Sequence, residues 1–195
     1  MIFDLDVALE WDAHEDEKFL HQLETDLQRA SDFLFDWTNG QVALGAITVY
    51  HDAKMRAAAY STNPWLDADV RIYATNRLRP SAVKGGIVSE PVTDTVTLDE
   101  SGTETEVIYF PGRVHMGAVW NRFGRSDGNL GEDWPRTLAH ELGHYLLFLD
   151  DNYVGLQNGM LTPVNDCPGA MADHYRDGSG SSGYGEFYPD TDIDA

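Results

Sequence analysis

Apolar positions recur along this chain in two periods. Between Glu15 and Trp37 they are Phe19, Leu20, Leu23, Leu27, Ala30, Leu34 and Trp37. Spacings of three and four put them on one face of a helix, and Asn39-Gly40 supplies its stop. Val42 to His51 is dense in β-formers, and Val70, Ile72 and Ala74 alternate with polar neighbours, so both stretches predict strands. Asn63-Pro64 falls in the connection between them. Residues 92–98 and 105–110 flank the run Asp99 to Glu104 and predict a hairpin with an acidic tip. Val114 to Trp120 predicts a further strand, and Asn121 to Asp133 a glycine-containing loop. A second helix is expected from Trp134 to Leu149, with Asp133 as its N-cap. Beyond it the chain turns rich in Gly, Pro and Asp and reads as irregular. Residues 1–176 are expected to form one domain, and 177–195, DGSGSSGYGEFYPDTDIDA, a tail or linker. One helix, mixed strands and a second helix predict an α+β or three-layer α/β domain.

Composition narrows the partners. The chain has 195 residues and 42% hydrophobic content, enough for a core without a disulfide, and Cys167 is its one cysteine. A formal charge of −20 repels phosphate backbones, which argues against nucleic acid and against anionic membrane. The acidic excess otherwise serves solubility, with Ca2+ binding by some aspartates as the functional alternative. No apolar run reaches the ~20 residues of a membrane span. The opening Met1-Ile2-Phe3-Asp4-Leu5-Asp6 lacks the basic-then-apolar pattern of a signal peptide. That leaves a cytosolic protein or a domain of a longer chain as the two expectations.

The second helix carries the chemistry. His140-Glu141-Leu142-Gly143-His144 has two histidines one helical turn apart, able to converge on one ion, with a carboxylate beside them. Such a carboxylate can take a proton from metal-bound water and deliver it to a leaving amine. On the helical wheel Leu138, Leu142 and Leu149 gather on one side and the histidines on the other, toward a cleft or solvent. Zinc needs a third protein ligand. Asp150 and Asp151 follow the helix, and either carboxylate could close a His-His-Asp site. On a continuous helix Asp151 would fall ~20° from the face of His140 and Asp150 ~80° from it. Eleven residues of helix rise ~16 Å, so the chain must double back for either. His14, His21, His51, His115 and His174 have no partner at ligand spacing and read as structural or solvated.

The run HELGHYLLFLDDNY resembles the extended zinc motif of the metzincin clan. It is most similar to the metalloprotease domain of the calcium-activated chloride channel regulator (CLCA) family and its bacterial relatives. Their motif HExxHxxxGxxDEY aligns without gaps to His140, Glu141, His144, Asp151 and Tyr153, with Phe148 at the family's Gly and Asn152 at its Glu. The resemblance implies Asp151 as the third ligand and Asp150 as its neighbour in support. It implies a mixed twisted sheet with a backing helix and an active-site helix, then an irregular C-terminal subdomain with a Met-turn. Cys167-Pro168-Gly169-Ala170-Met171 is the candidate turn, with Met171 under the metal. It further implies that Val114 to Trp120 is an edge strand on which Gly117 and Ala118 bind an extended peptide. Tyr175 is a candidate aid to the oxyanion.

The expected function is therefore a zinc endopeptidase with Glu141 as general base, acting on peptide or protein substrates. By the same resemblance it would be extracytoplasmic and attached to further domains. A zinc-containing structural or adhesion module is the alternative, although zinc binding alone would not require Glu141. A zinc hydrolase of small molecules or glycans is the third reading, favoured by a closed pocket over an open groove.

Overall fold

The structure, a computed structural model, describes residues 1–51, 63–74, 78–97, 102, 104–118, 133–151, 154–157, 160–163 and 170–171. Its centre is a five-stranded sheet of β1 (Ile2–Leu9), β2 (Ala43–Tyr50), β3 (Val70–Tyr73), β4 (Ser81–Ala82) and β7 (Val114–Gly117). The order across the sheet is β2-β1-β3-β7-β4. The first four strands are parallel, and β4 joins β7 antiparallel. Two hairpins stand apart from it: β5 (Val92–Thr97) with β6 (Glu104–Tyr109), and β8 (Val154–Gln157) with β9 (Met160–Pro163). The fold is mixed α/β with a mostly parallel sheet.

The apolar periodicity of the first long segment does form a helix, α1 (Glu17–Trp37). Asp16 caps it, its Oδ1 accepting the Phe19 amide at 3.0 Å. Asn39 and Gly40 both turn to positive φ just beyond its end, as their stop signal requires. Leu23, Leu27, Ala30 and Leu34 bury against Leu5, Val7 and Leu9 of β1 and against Val70, Ile72, Val114 and Met116. Each fully buried leucine contributes about 1.5–3 kcal/mol. The site helix α3 (Asp133–Leu147) packs beside α1 and shares that core through Leu138, Ala139, Leu142 and Leu146. A smaller cluster of Ala8, Trp65 and Ala68, with Tyr50 and Tyr73, forms where the short helix α2 (Pro64–Asp67) meets β1.

Four details differ from the sequence-based expectations. Residues 2–9, which the pattern reading leaves without an element, form β1 beside the centre of the sheet. Part of the irregular region forms β8 and β9. The site helix starts at Asp133 and ends at Leu147, two residues early, because Phe148 takes a left-handed backbone at φ 61°. Finally, the strand expected as an edge at Val114 to Trp120 has a further strand outside its first two residues. Val114 and His115 pair with β3 on one side and with Ala82 and Ser81 on the other. The Gly117 carbonyl accepts the Trp134 indole at 2.9 Å, and the Ala118 amide donates to the Tyr73 carbonyl at 2.8 Å. On this side of the sheet the outer strand is β4. Tyr153, Cys167, His174, Tyr175 and the tail 177–195 lie outside the described residues, as does the expected loop except its last residue, Asp133.

Candidate metal centre

Long-range anchors fix α3 before any ligand is considered. The Trp134 indole ties its start to Gly117 of β7, and the Tyr145 hydroxyl donates to Asp69 Oδ1 at 2.5 Å, ahead of β3. Burial, then the Asp69 carboxylate, push the Tyr145 phenol well above the usual tyrosine range. Gly143 costs the helix about 1 kcal/mol relative to alanine. Its use is close packing: a Cβ there would stand 2.8 Å from Met171 Sδ and 3.0 Å from Trp37 Cη2.

On this helix His140 and His144 bring their Nε2 atoms to 3.2 Å from each other. Asp151 Oδ1 completes a triangle, 3.2 Å from each. The other ring nitrogens decide what the triangle is. His140 Nδ1 lies 2.9 Å from the Ala170 carbonyl, and His144 Nδ1 lies 2.7 Å from the Leu149 carbonyl. A carbonyl only accepts, so each Nδ1 carries the hydrogen and, in the neutral rings, each Nε2 offers a lone pair. Asp151 Oδ1 is buried with no hydrogen-bond partner. Three lone pairs thus meet at one point, an arrangement that repels itself unless a cation sits there.

The dimensions fit a first-row divalent ion. Two ligands about 2.0 Å from a tetrahedral centre are about 3.3 Å apart, close to the separation seen on all three sides. Both carbonyl contacts are the outer partners that fix a metal-binding imidazole in its tautomer. The three residues could hold a metal ion, and among the described residues no other cluster of His, Cys, Asp or Glu is as close. The protonation balance points the same way. Burial pulls the His144 imidazole down, but Asp151 and the Leu149 carbonyl together raise it. Burial would raise the Asp151 carboxyl, but the contacts with His140 and His144 hold it well below the usual range. A positive charge is wanted at the centre, whether proton or metal.

The turn after α3 delivers the third group. Phe148 reverses the chain in the left-handed region, at a cost of about 1–2 kcal/mol for a residue with a Cβ. Its ring meets Tyr109 edge-on, centroids 4.7 Å apart, a contact worth about 0.5–1.5 kcal/mol beyond its burial. The Leu149 amide reaches back to the Gly143 carbonyl. From that reversal Asp150 turns outward to the Lys84 ammonium, and Asp151 turns inward to the two histidines. The pair that the sequence leaves open is separated by the fold.

The cleft over the triangle is about 440 Å³, lined by Arg79, Pro80, Ser81, Ala82, His140, Glu141, His144 and Asp151. The histidines do face it, although His140 is only 2% exposed. Glu141 is in this cleft and buried, next in sequence to one ligand and on its helical turn. Pattern reading missed Ser81 and Ala82, because two residues carry no periodicity. Met171 is buried, and the adjacent Ala170 carbonyl is the acceptor for His140. Gly117 and Ala118 are not among the lining residues. Of the remaining histidines, His115 stacks on Tyr73 with its Nδ1 3.0 Å from the hydroxyl, on the sheet face away from α1 and α3. His21 stands 3.9 Å from Glu24 on the surface. Comparison of the chain with protein-family models, curated proteins and solved structures returns no match.

Proposed function

We propose that this domain is a zinc-dependent endopeptidase related to the metzincins, most similar to the CLCA-type metalloprotease domain. The observation that carries the reading is the triangle of His140, His144 and Asp151 with Glu141 in the same cleft. The HELGHYLLFLDDNY motif and the position of Met171 against the site helix support it. The zinc itself would polarise the substrate carbonyl and bring the pKa of a water toward ~7. His140, His144 and Asp151 would hold it, leaving one position open to the cleft.

The chain's own groups do the rest. Glu141 receives a proton on a carboxylate oxygen and passes it to the departing amine. Its near-complete burial keeps bulk water from competing for that proton. Strand β4 forms a wall of the cleft. Its residues 81 and 83 point their backbone groups at β7, so the amide and carbonyl of Ala82 face outward, where an extended peptide can pair with them. In this reading Ala82, which lines the cleft, takes the pairing role expected of Gly117 and Ala118, which do not line it, and an open edge favours a peptide over a small molecule. The resemblance extends the proposal to an extracytoplasmic setting and to neighbouring domains.

The test is digestion of a broad peptide library by the zinc-loaded protein, followed by mass spectrometry. Glu141→Gln should keep its zinc and cleave ~10²-fold or more slowly. Equal cleavage by both proteins would remove Glu141 from the mechanism. A zinc-loaded wild type that cleaves nothing in the library would favour a structural module.

A further inference from the structure

Gly85 lies in the loop after β4, bears no functional group, and touches the metal centre twice. Its amide donates to the His144 carbonyl at 2.8 Å, holding the backbone of a ligand residue in the last turn of α3. Its Cα face is pressed against the chain reversal that carries Asp151. A Cβ built there would stand 2.4 Å and 2.5 Å from Phe148 Cε1 and Cδ1, and 2.9 Å from Tyr109 Cδ1. These are distances at which something must move. Phe148 cannot simply swing away, because its ring is clamped edge-on against Tyr109 and its backbone is the left-handed turn itself. Asp151 follows three residues later.

We infer that Gly85 is a positioning residue of the metal centre: its amide fixes His144, and its missing side chain makes the slot in which Phe148 sets the turn that delivers Asp151. The inference rests on the proposed role of His140, His144 and Asp151 as zinc ligands. It explains how an aromatic residue occupies the place of the family's glycine. Freedom absent at 148 is supplied at 85, a residue distant in sequence and adjacent in space.

The experiment is zinc affinity, by competition with a chromophoric chelator, for the full chain and for Gly85→Ala, Phe148→Ala and the double variant. The visible spectrum of each with Co2+ in place of zinc is recorded alongside. Gly85→Ala should weaken zinc binding ~10–100-fold, the range for losing an outer partner of a metal ligand, and should alter the cobalt bands. In the Phe148→Ala background the same change should cost under ~3-fold, because the ring of the two closest clashes is gone and Tyr109, no longer packed against it, has room to turn aside. Gly85 has φ 64°, so an alanine there is also strained by itself. That local strain alone predicts equal losses in both backgrounds and unchanged cobalt bands, a result that would overturn the inference. If Gly85→Ala fails to fold, recovery of folding and zinc binding in the double variant supports the slot, and continued failure refutes it. A wild type that binds no zinc would instead remove the ligand assignment and the inference with it.

Discussion

Asp150 sets its carboxylate 2.5 Å from the Lys84 ammonium, on the outer side of the turn whose inner side presents Asp151 to the two histidines. Asp150 is 80% exposed at its side chain, so the pair with Lys84 contributes at most ~1 kcal/mol. Asp151→Ala should abolish stoichiometric zinc binding, and Asp150→Ala should leave it intact. Elemental analysis of dialysed protein checks both. Zinc lost from the Asp150 variant and kept by the Asp151 variant would reverse the assignment.

Met171 is predicted to be a packing support of α3. It is buried, and its sulfur lies where a side chain at Gly143 would have to go. Met171→Ala should lower the unfolding free energy by ~2–5 kcal/mol, read from urea denaturation. An unchanged midpoint would mean that the 170–171 segment does not support the helix.

Asp26 supplies a pH test away from the metal. It is buried on the core side of α1, with Gln22 Nε2 donating to it at 2.9 Å. Burial pushes its carboxyl up to about 6, against the lowering by Gln22 and Arg29. A carboxyl raised on folding contributes stability that is complete below its ordinary pKa of about 4 and is lost as pH rises through 6. Asp26→Asn should therefore stabilise the protein by about 1–3 kcal/mol at pH 8 and by nothing at pH 3.5. Denaturant midpoints across that range decide it, and a difference independent of pH would contradict the assigned cause.

How much of this was legible before folding depends on the reach of each signal. α1, α3 and the histidine pair are local: spacings of three and four in Leu23, Leu27, Ala30 and Leu34, and of four in His140 and His144, show in the sequence itself. β1 was equally legible, since Phe3, Leu5, Val7 and Leu9 alternate with Asp4, Asp6 and Ala8. The sheet order was not, because pairings such as Val70 with Val114 join residues that no local pattern links. The strand outside Val114 and His115 is hidden for a related reason: Ser81 and Ala82 are too few to show a period. The motif match already pointed to Asp151, but the turn that brings it back to the histidines did not show, because it is set at Phe148 by space at Gly85 and a ring at Tyr109. That dependence exists only in the folded chain.

Zinc K-edge X-ray absorption on the stoichiometrically loaded protein tests the ligand set most directly. Two imidazole nitrogens, one carboxylate oxygen and one further oxygen are expected in a single shell at about 2.0–2.1 Å, with imidazole scattering beyond it and no sulfur. A sulfur neighbour at about 2.3 Å would place the metal on Cys167. An oxygen-only shell without the imidazole signature would place it on the acidic surface, and either result would contradict a centre built from His140, His144 and Asp151.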